Sequence, residues 1–497
     1  MRLVLVLMAI LATQVGFITV AFAQSAPAPS EAAIADPLAS FRPSAANMHY
    51  LVGRQMLMRG SNAQAVEAFT LALATAPGWA AAYADRGVAH MRQGAFTPAI
   101  EDLSKALTFL PAGAPVEARY SLLVNRGSAH GASGRKEQAL LDLGKAIELS
   151  PGQASAYVSR SRIHIGVKNF DAALRDAKQA TTLNPADAVA HVVQGFAHLG
   201  KKMHAAAAED FRRALAIMPD ERSAVLGLHM ASLGDKPNEG ATSVRLVRHA
   251  DPTCEPSCPE WISIQGRIDP GSAKLLEPVL KRLGGRKVPV LVHSGGGSVT
   301  DALAMGRAIR AAGLDVAVMR TEQFRCEKGD KVCAQRMTSG RQLGRPSRPG
   351  SICASSCVFL LASGANRYVG PSTIVGVHQI TSFSTYQQVL RLYRDHRAFD
   401  SSGNMVVRRE IVSETKGQKT RVQTPTRDAT YENVRKYFAE MGIDDRIMNL
   451  VMSTPANSMA WLGADQMRVT KLRTASNADA LIALPTATPT APADQIQ

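Results

Sequence analysis

Residues 152–185 read GQASAYVSRSRIHIGVKNFDAALRDAKQATTLNP, a stretch that closes on Pro185 and whose plan recurs along the first half of the chain. Prolines stand at Pro77, Pro111, Pro151, Pro185 and Pro219, separated by 34, 40, 34 and 34 residues, the long interval holding extra turn material from Pro111 to Pro115. Twenty-four residues before each proline stand Gly53, Gly87, Gly127, Ser161 and Gly195. Twelve before it stand Ala65, Ala99, Ala139, Ala173 and Ala207; five before it stand Ala72, Ala106, Ala146, Ala180 and Ala214. Small residues recur where two helices cross closely, because a large side chain would hold the axes apart. Agreement at three positions in five units predicts five helical hairpins.

A two-helix period of 34 residues is similar to that of the tetratricopeptide repeat. The resemblance implies an all-α solenoid over residues 44–236, five repeats followed by a capping helix at 221–236. Such a solenoid presents a concave face to a protein or peptide ligand. A histidine recurs at His90, His130, His164 and His198, where a bulky aromatic often sits, and it reads as a helix-packing residue rather than a metal or pH-sensing ladder.

The chain is longer than one ordinary domain, at 497 residues. With 46% hydrophobic and 20% charged residues it has the composition of a folded protein. Its formal charge of +16 is scattered along helices, with one concentration between Arg320 and Arg348, and only 5% of residues are aromatic. Without an aromatic-and-basic motif, nucleic acid is not expected as a partner; an anionic membrane surface or acidic partner accounts for the charge better.

Arg2, the apolar run Leu3 to Val20 and the small residues of Ala21-Phe22-Ala23 predict a signal peptide over 1–23, hence a periplasmic or secreted protein. An uncleaved N-terminal anchor is the alternative. Residues 24–43, rich in Ala, Pro and Ser, read as a flexible spacer, and 477–497 as a disordered tail. Six cysteines suit an oxidising compartment: Cys254, Cys258, Cys326, Cys333, Cys353 and Cys357. They allow 15 connectivities. Cys353 pairs with Cys357, or either ties down the segment holding Cys326 and Cys333. Their spacing does not match a zinc site, and no metal or other cofactor is expected.

After Asp251 the pattern alternates. Strands are expected at Trp261–Ile268, Val288–His293 and Asp315–Arg320, helices at Ser272–Leu283 and Val299–Ala312, with a glycine turn at Gly295-Gly296-Gly297. This succession implies a parallel sheet with helices on its faces. A basic, cysteine-containing insertion at 321–350, with Arg320, Arg325, Lys328, Arg336, Arg341, Arg345 and Arg348 in or beside it, reads as a solvated loop and a candidate lid or docking surface. A short apolar helix follows at Ser355–Ser363, a strand at Thr373–His378 and a helix at Ala429–Glu440; residues 381–426 are polar and carry no clear pattern.

Two segments carry chemistry: HSGGGSVTDALAMGRAIR from His293, and SICASSCVFLLASGANRYVGPSTIVGVHQI from Ser351. Together they resemble the Clp protease proteolytic subunit and the signal-peptide peptidases of the same superfamily. His293 to Ser298 resembles that family's Ser-Pro-Gly-Gly turn, with Gly295 in place of the proline. Ala354-Ser355 ahead of Phe359-Leu360-Leu361 matches its nucleophile turn, and Val377-His378-Gln379 its histidine strand end. The resemblance implies an α/β Clp/crotonase-like domain over 255–475 and a fold whose relatives often form homo-oligomers.

Carried over, Ser355 is the nucleophile and His378 its general base, because a serine hydroxyl attacks only once an imidazole takes its proton. The N–H groups of Gly296 and Ser356 form the oxyanion hole. Ser356 is the rival nucleophile, and Cys357 a thiol alternative. The family's acid has no counterpart in Asn457-Ser458-Met459-Ala460-Trp461-Leu462; Asn457 is expected to orient His378, with Asp428 and Asp465 as other candidates. Three functions are in play: an exported serine peptidase whose repeats recruit protein substrates, a catalytically silent interaction scaffold, and a crotonase-like acyl-thioester enzyme. The paired Ser355 and His378 and the exported location disfavour the last.

Overall fold

The computed structural model of the chain describes residues 44–234, 240–327, 329–337, 341–424 and 426–484. The expected signal peptide and spacer, Lys328, and residues 485–497 of the expected tail lie outside the described residues. The chain divides into two compact units, one of Met1–Val375 with Arg473–Gln497, the other of Gly376–Leu472.

The first unit begins with helices α1 (Ser44–Met58), α2 (Asn62–Thr75), α3 (Ala80–Arg92), α4 (Phe96–Phe109), α5 (Val116–Ala132), α6 (Lys136–Leu149), α7 (Ala154–Gly166), α8 (Phe170–Leu183), α9 (Ala188–Gly200), α10 (His204–Ile217) and α11 (Arg222–Leu233). They form five hairpins and a cap, a solenoid like that of tetratricopeptide repeats. The fifteen small residues of the repeat sites explain the packing. The alanines at the two later sites are all fully buried. At the first site, a methyl group on Gly53, Gly87, Gly127 or Gly195 would lie 2.6–2.9 Å from the partner helix's Phe69, Leu103, Leu143 or Phe211. In the fourth repeat the facing residue is Ala177, and there Ser161 fits, its hydroxyl donating to the carbonyl of Ala173 at 2.8 Å. The pair, rather than either residue alone, fills the crossing.

Between the two helices of each repeat the chain turns through one residue of positive φ: Gly60, Gly94, Gly134, Lys168 and Lys202, at φ 60–83°. Glycine takes that conformation freely and lysine does so at a cost. A second period runs beside it. Arg86, Arg126 and Arg160 each donate two hydrogen bonds of 2.8 Å to Asp102, Asp142 and Asp176 sixteen residues on. His90, His130 and His164 stand 3.8–3.9 Å from the same carboxylates. In the fifth repeat Gln194 replaces the arginine, and His198 itself bonds Asp210 through Nδ1 at 2.6 Å. The recurring histidines are therefore packing residues of a buried ion-pair ladder.

The same unit continues as a sheet: β1 (Ser243–His249), β2 (Glu260–Gln265), α12 (Glu277–Leu283), β3 (Val290–His293), α13 (Val299–Ala311), β4 (Val316–Val318), β5 (Arg320–Gln323), α14 (Lys331–Arg336), β6 (Gln342–Ser347), β7 (Ser351–Ala354), α15 (Cys357–Ala362), β8 (Arg367–Tyr368) and the first residues of β9 (Thr373–Val377). Seven strands lie in the order β5-β6-β1-β2-β3-β4-β8. The run β2-β3-β4-β8 is parallel, as the alternation implies. The sheet as a whole is mixed, because β1 pairs antiparallel with β2 and β5 antiparallel with β6. Strand β1 lies ahead of the segment read as the domain, and its charged Arg245, Arg248 and His249 hid its pattern.

The insertion at 321–350 corrects the expectation of a solvated loop. It contributes β5, α14 and β6 and is closed by the Cys326–Cys333 disulfide. Arg336 pairs with Glu255 at 2.7 Å, and Arg341 and Arg286 pair with Glu260 at 2.9 and 2.8 Å. Ala478 and Ile482 pack on the buried cluster of Val247, Trp261, Leu291 and Ala317, so the expected disordered tail is ordered at least to there. Cap and sheet also meet within this unit: a methyl on Gly350 would touch Leu228 of α11 at 2.9 Å, and Ser372 Oγ donates to the carbonyl of Pro219 at 2.8 Å.

In the second unit, Gly376 and Val377 pair antiparallel with Trp461 and Ala460 of a short strand. The patternless stretch 381–426 forms a hairpin, β10 (Ser382–Phe399) and β11 (Met405–Thr424), with bulges at Gln387/Val389 and Leu392/Tyr393. Cross-strand pairs Asp395–Arg409 and Arg391–Glu414, at 2.8 and 2.7 Å, hold its register. Helices α16 (Asp428–Glu440), α17 (Arg446–Ser453) and α18 (Ala464–Val469) enclose Val434, Tyr437, Phe438, Ile447 and Met448. Among the described residues no helix is long and apolar enough to cross a membrane.

Candidate active site

Ser355 follows the last residue of β7 and precedes α15, and it has φ 55°, a left-handed conformation that costs a non-glycine residue about 1–2 kcal/mol. Such strain persists only where the surroundings impose it. Here they are a glycine turn, a strand pairing and a disulfide. Ser294 donates its N–H to the carbonyl of Ile352 at 2.9 Å and accepts from Ala354 N–H at 3.0 Å, so the turn after β3 runs beside β7. Gly296 and Gly297 have φ of 106° and 145°. A methyl on Gly296 would stand 2.6 Å from Ser355 Cβ, 2.9 Å from the Ala354 carbonyl and 3.0 Å from Ser355 Oγ. One on Gly297 would stand 2.1 Å from the Ile268 carbonyl. Only glycines let the two turns approach this closely. Cys353 and Cys357, both fully buried, are joined across Ser355 and Ser356. The Cys254–Cys258 disulfide lies apart, ahead of β2.

The two candidate nucleophiles separate by exposure. Ser355 is partly exposed, whereas Ser356 is 2% exposed, with its hydroxyl buried and lacking a protein partner. The disulfide leaves no free thiol at Cys357. Of the expected oxyanion donors, Gly296 N–H donates to Ser294 Oγ at 3.1 Å, a bond that must open for it to serve a substrate. Ser298 caps α13 through Asp301 N–H and holds the far end of the turn.

In the second unit His378 directly follows β9 and is partly exposed. Its Nδ1–H donates to the carbonyl of Gln379 at 2.6 Å, leaving Nε2 as the basic nitrogen. Burial holds this imidazole below its ordinary range, with the Gln379 carbonyl opposing, so it is neutral at neutral pH. The orienting bond expected from Asn457 is thus made by a main-chain carbonyl; Asn457 stands exposed on the Pro455–Ser458 turn. Asp465 is exposed and paired with Arg468 at 3.2 Å, and Asp428 is exposed at the start of α16. No residue pattern announces a main-chain partner, so the sequence points instead to the side chains of Asn457, Asp428 and Asp465. Among the described residues no group of three His, Cys, Asp or Glu is placed to hold a metal.

On the helical part, Leu107, Arg119, Leu123, Arg126, Lys145, Glu148 and Leu149 line a shallow groove on α4, α5 and α6. Its apolar floor is rimmed by more positive than negative charge.

Comparison with known proteins bears on this helical part. Residues 120–153 match the tetratricopeptide repeat family. No protein of curated function matches the chain. Among solved structures, MamA from Desulfovibrio magneticus RS-1 is 20% identical, over 36% of this chain and 98% of its own, with a TM-score of 0.31. A thermophilic TPR protein of Thermus thermophilus is 20% identical over 38% of this chain and 100% of its own, at 0.33. YrrB, described as a TPR protein with an unusual peptide-binding site, is 20% identical over 36% of this chain and 88% of its own, at 0.29. The repeat match at residues 120–153 lies within the helical solenoid, which a mixed sheet follows.

Proposed function

We propose that the chain is an exported, Clp-like serine peptidase whose repeats recruit protein substrates or partners. The observation that carries this reading is Ser355: a non-glycine residue of positive φ, between a strand and an apolar helix, pressed against a glycine turn. That is what a nucleophile elbow requires, an accessible hydroxyl held by its surroundings against backbone preference. His378 is the general base that the family resemblance assigns. Its neutral state and the Nδ1–H bond to Gln379 present Nε2 as the proton acceptor. The Gln379 carbonyl takes the orienting part that a triad gives to a carboxylate. It lacks the full negative charge that stabilises an imidazolium, so turnover is expected to be slow. The Clp/crotonase fold, the cleaved signal peptide, a periplasmic or secreted location, a homo-oligomer and contact with an anionic membrane surface belong to the same proposal.

A second reading, a silent binding scaffold of the same fold, is favoured by the missing carboxylate and by the engaged Gly296 N–H. Incubation of the mature chain with an unfolded protein such as reduced casein separates the two. Fragments that appear with the wild type and vanish with Ser355→Ala support the peptidase. Intact casein that is nevertheless retained by the wild type supports the scaffold.

A further inference from the structure

The residue ahead of the glycine turn, His293, takes no part in the chemistry proposed above, yet its side chain reaches across to the strand that carries Ser355. Its Nδ1 accepts the main-chain N–H of Ile352 at 3.1 Å, so that nitrogen is unprotonated. The neighbouring bonds, Ser294 N–H to Ile352 O and Ala354 N–H to Ser294 O, complete a three-bond clasp between the end of β3 and β7. On its other side the imidazole meets His229 of α11, ring centroids 5.2 Å apart and edge to face, while Leu228 covers Gly350 at the start of β7.

We infer that His293 is the positioning residue of the Ser355 turn, holding β7 in register with the glycine turn and joining both to the capping helix through His229. The catalytic consequence rests on Ser355 being the reacting group; the structural clasp does not. A neutral imidazole is required, since a protonated Nδ1 repels the Ile352 N–H. Burial, then His229, then Arg320 all act to keep His293 neutral. These are the groups that bear on it: His229 from α11 and Arg320 from β5, whose guanidinium is paired with Glu322. Acidification therefore opens the clasp once the cost of keeping two adjacent histidines neutral exceeds what the seam supplies. That places the response below the ordinary imidazole range.

The test is hydrogen exchange of the full chain, followed by mass spectrometry on the peptide spanning Ser351–Ser355, with disulfides reduced after quenching. His293→Asn keeps an acceptor where Nδ1 stands, and His293→Leu removes it at similar volume. Relative to wild type, the Leu variant is expected to exchange at least about tenfold faster at neutral pH, the effect of one buried amide left without a partner. The Asn variant is expected to stay within about threefold of wild type. In an acid series corrected for intrinsic rate, wild-type protection falls further than that of the Asn variant, which keeps only the response of His229. Wild-type protection in the Leu variant, or the same acid response in wild type and Asn, overturns the inference. Should the Leu variant not fold, the wild-type and Asn acid series decide alone. Fluorophosphonate labelling of the same samples, lost in Leu and kept in Asn, extends the role to the hydroxyl. If even wild type does not label, the peptidase reading fails while the exchange result still judges the clasp.

Discussion

Gly127 and Leu143 offer the sharpest test of why the repeats pack. A methyl on Gly127 would lie 2.8 Å from Leu143 Cγ, 3.2 Å from its Cδ2 and 3.3 Å from the Ala139 carbonyl. Gly127→Ser therefore forces the two helices apart or drives Leu143 off its rotamer, at about 1–3 kcal/mol, offset in part by about 0.5 kcal/mol of helix propensity. Leu143→Ala empties a fully buried site at about 2–5 kcal/mol. The fourth repeat already holds the double solution, Ser161 against Ala177, with the serine hydroxyl on Ala173 O. In the double variant the new hydroxyl has Ala139 O in the corresponding place, and the new side chain part-fills the space that Leu143 leaves. The two changes should thus be coupled favourably by at least about 1 kcal/mol, the range for residues in contact. Urea unfolding followed by far-ultraviolet circular dichroism on the four proteins of the cycle measures this. Additive effects, within about 0.3 kcal/mol, would refute the reasoning that the pair fills the crossing as a unit.

Other outcomes follow from single sites. Lys168→Gly and Lys202→Gly, at φ 62° and 60°, should each raise stability by about 0.5–1 kcal/mol in thermal unfolding, because relief of left-handed strain exceeds the entropy lost to glycine. Gly296→Ala, at φ 106° and against the Ala354 carbonyl, should abolish reaction of Ser355 with a fluorophosphonate, by about 100-fold or more, while far-ultraviolet circular dichroism stays unchanged. His229 is held neutral by burial, then by Arg320, its pKa lowered from 6.5 to about 4. Between those values the unfolded chain binds more protons, so this stability is complete above about pH 6.5 and is lost as pH falls toward 4, by about 3 kcal/mol in all. His229→Phe should flatten that window in an unfolding series between pH 4 and 7; an unchanged slope would contradict it.

The helical half was legible because its constraint is local and repeated: a close crossing demands a small residue, and five copies average out exceptions. Ser161, the one non-glycine at its site, is matched by the small Ala177 opposite it. The Arg and Asp partners sixteen residues apart were equally periodic, but a charged residue at helical spacing usually faces water, and only the structure shows Asp102, Asp142 and Asp176 buried. The Ser355 turn was legible through its motif alone. Its strain and the Gln379 carbonyl on His378 are main-chain facts with no side-chain signature, and the Ile352 N–H bond to His293 Nδ1 joins residues 59 apart in sequence. Strands β10 and β11 were illegible for a different reason: with Leu390, Leu392, Tyr393 and Ile411 all exposed, no buried face imposes an alternation, and cross-strand bonds rather than burial hold the pair. The turn Asp400–Asn404, whose Asp400 carboxylate accepts from Ser402 and Asn404, was the available clue.

The central claim is an activated hydroxyl at Ser355. Labelling of the purified mature protein with a fluorophosphonate probe, beside Ser355→Ala, Ser356→Ala and His378→Ala, tests it most directly. The account predicts labelling of wild type and Ser356→Ala and loss in Ser355→Ala and His378→Ala. A folded wild-type protein that does not label, or a Ser355→Ala variant that still does, would contradict it.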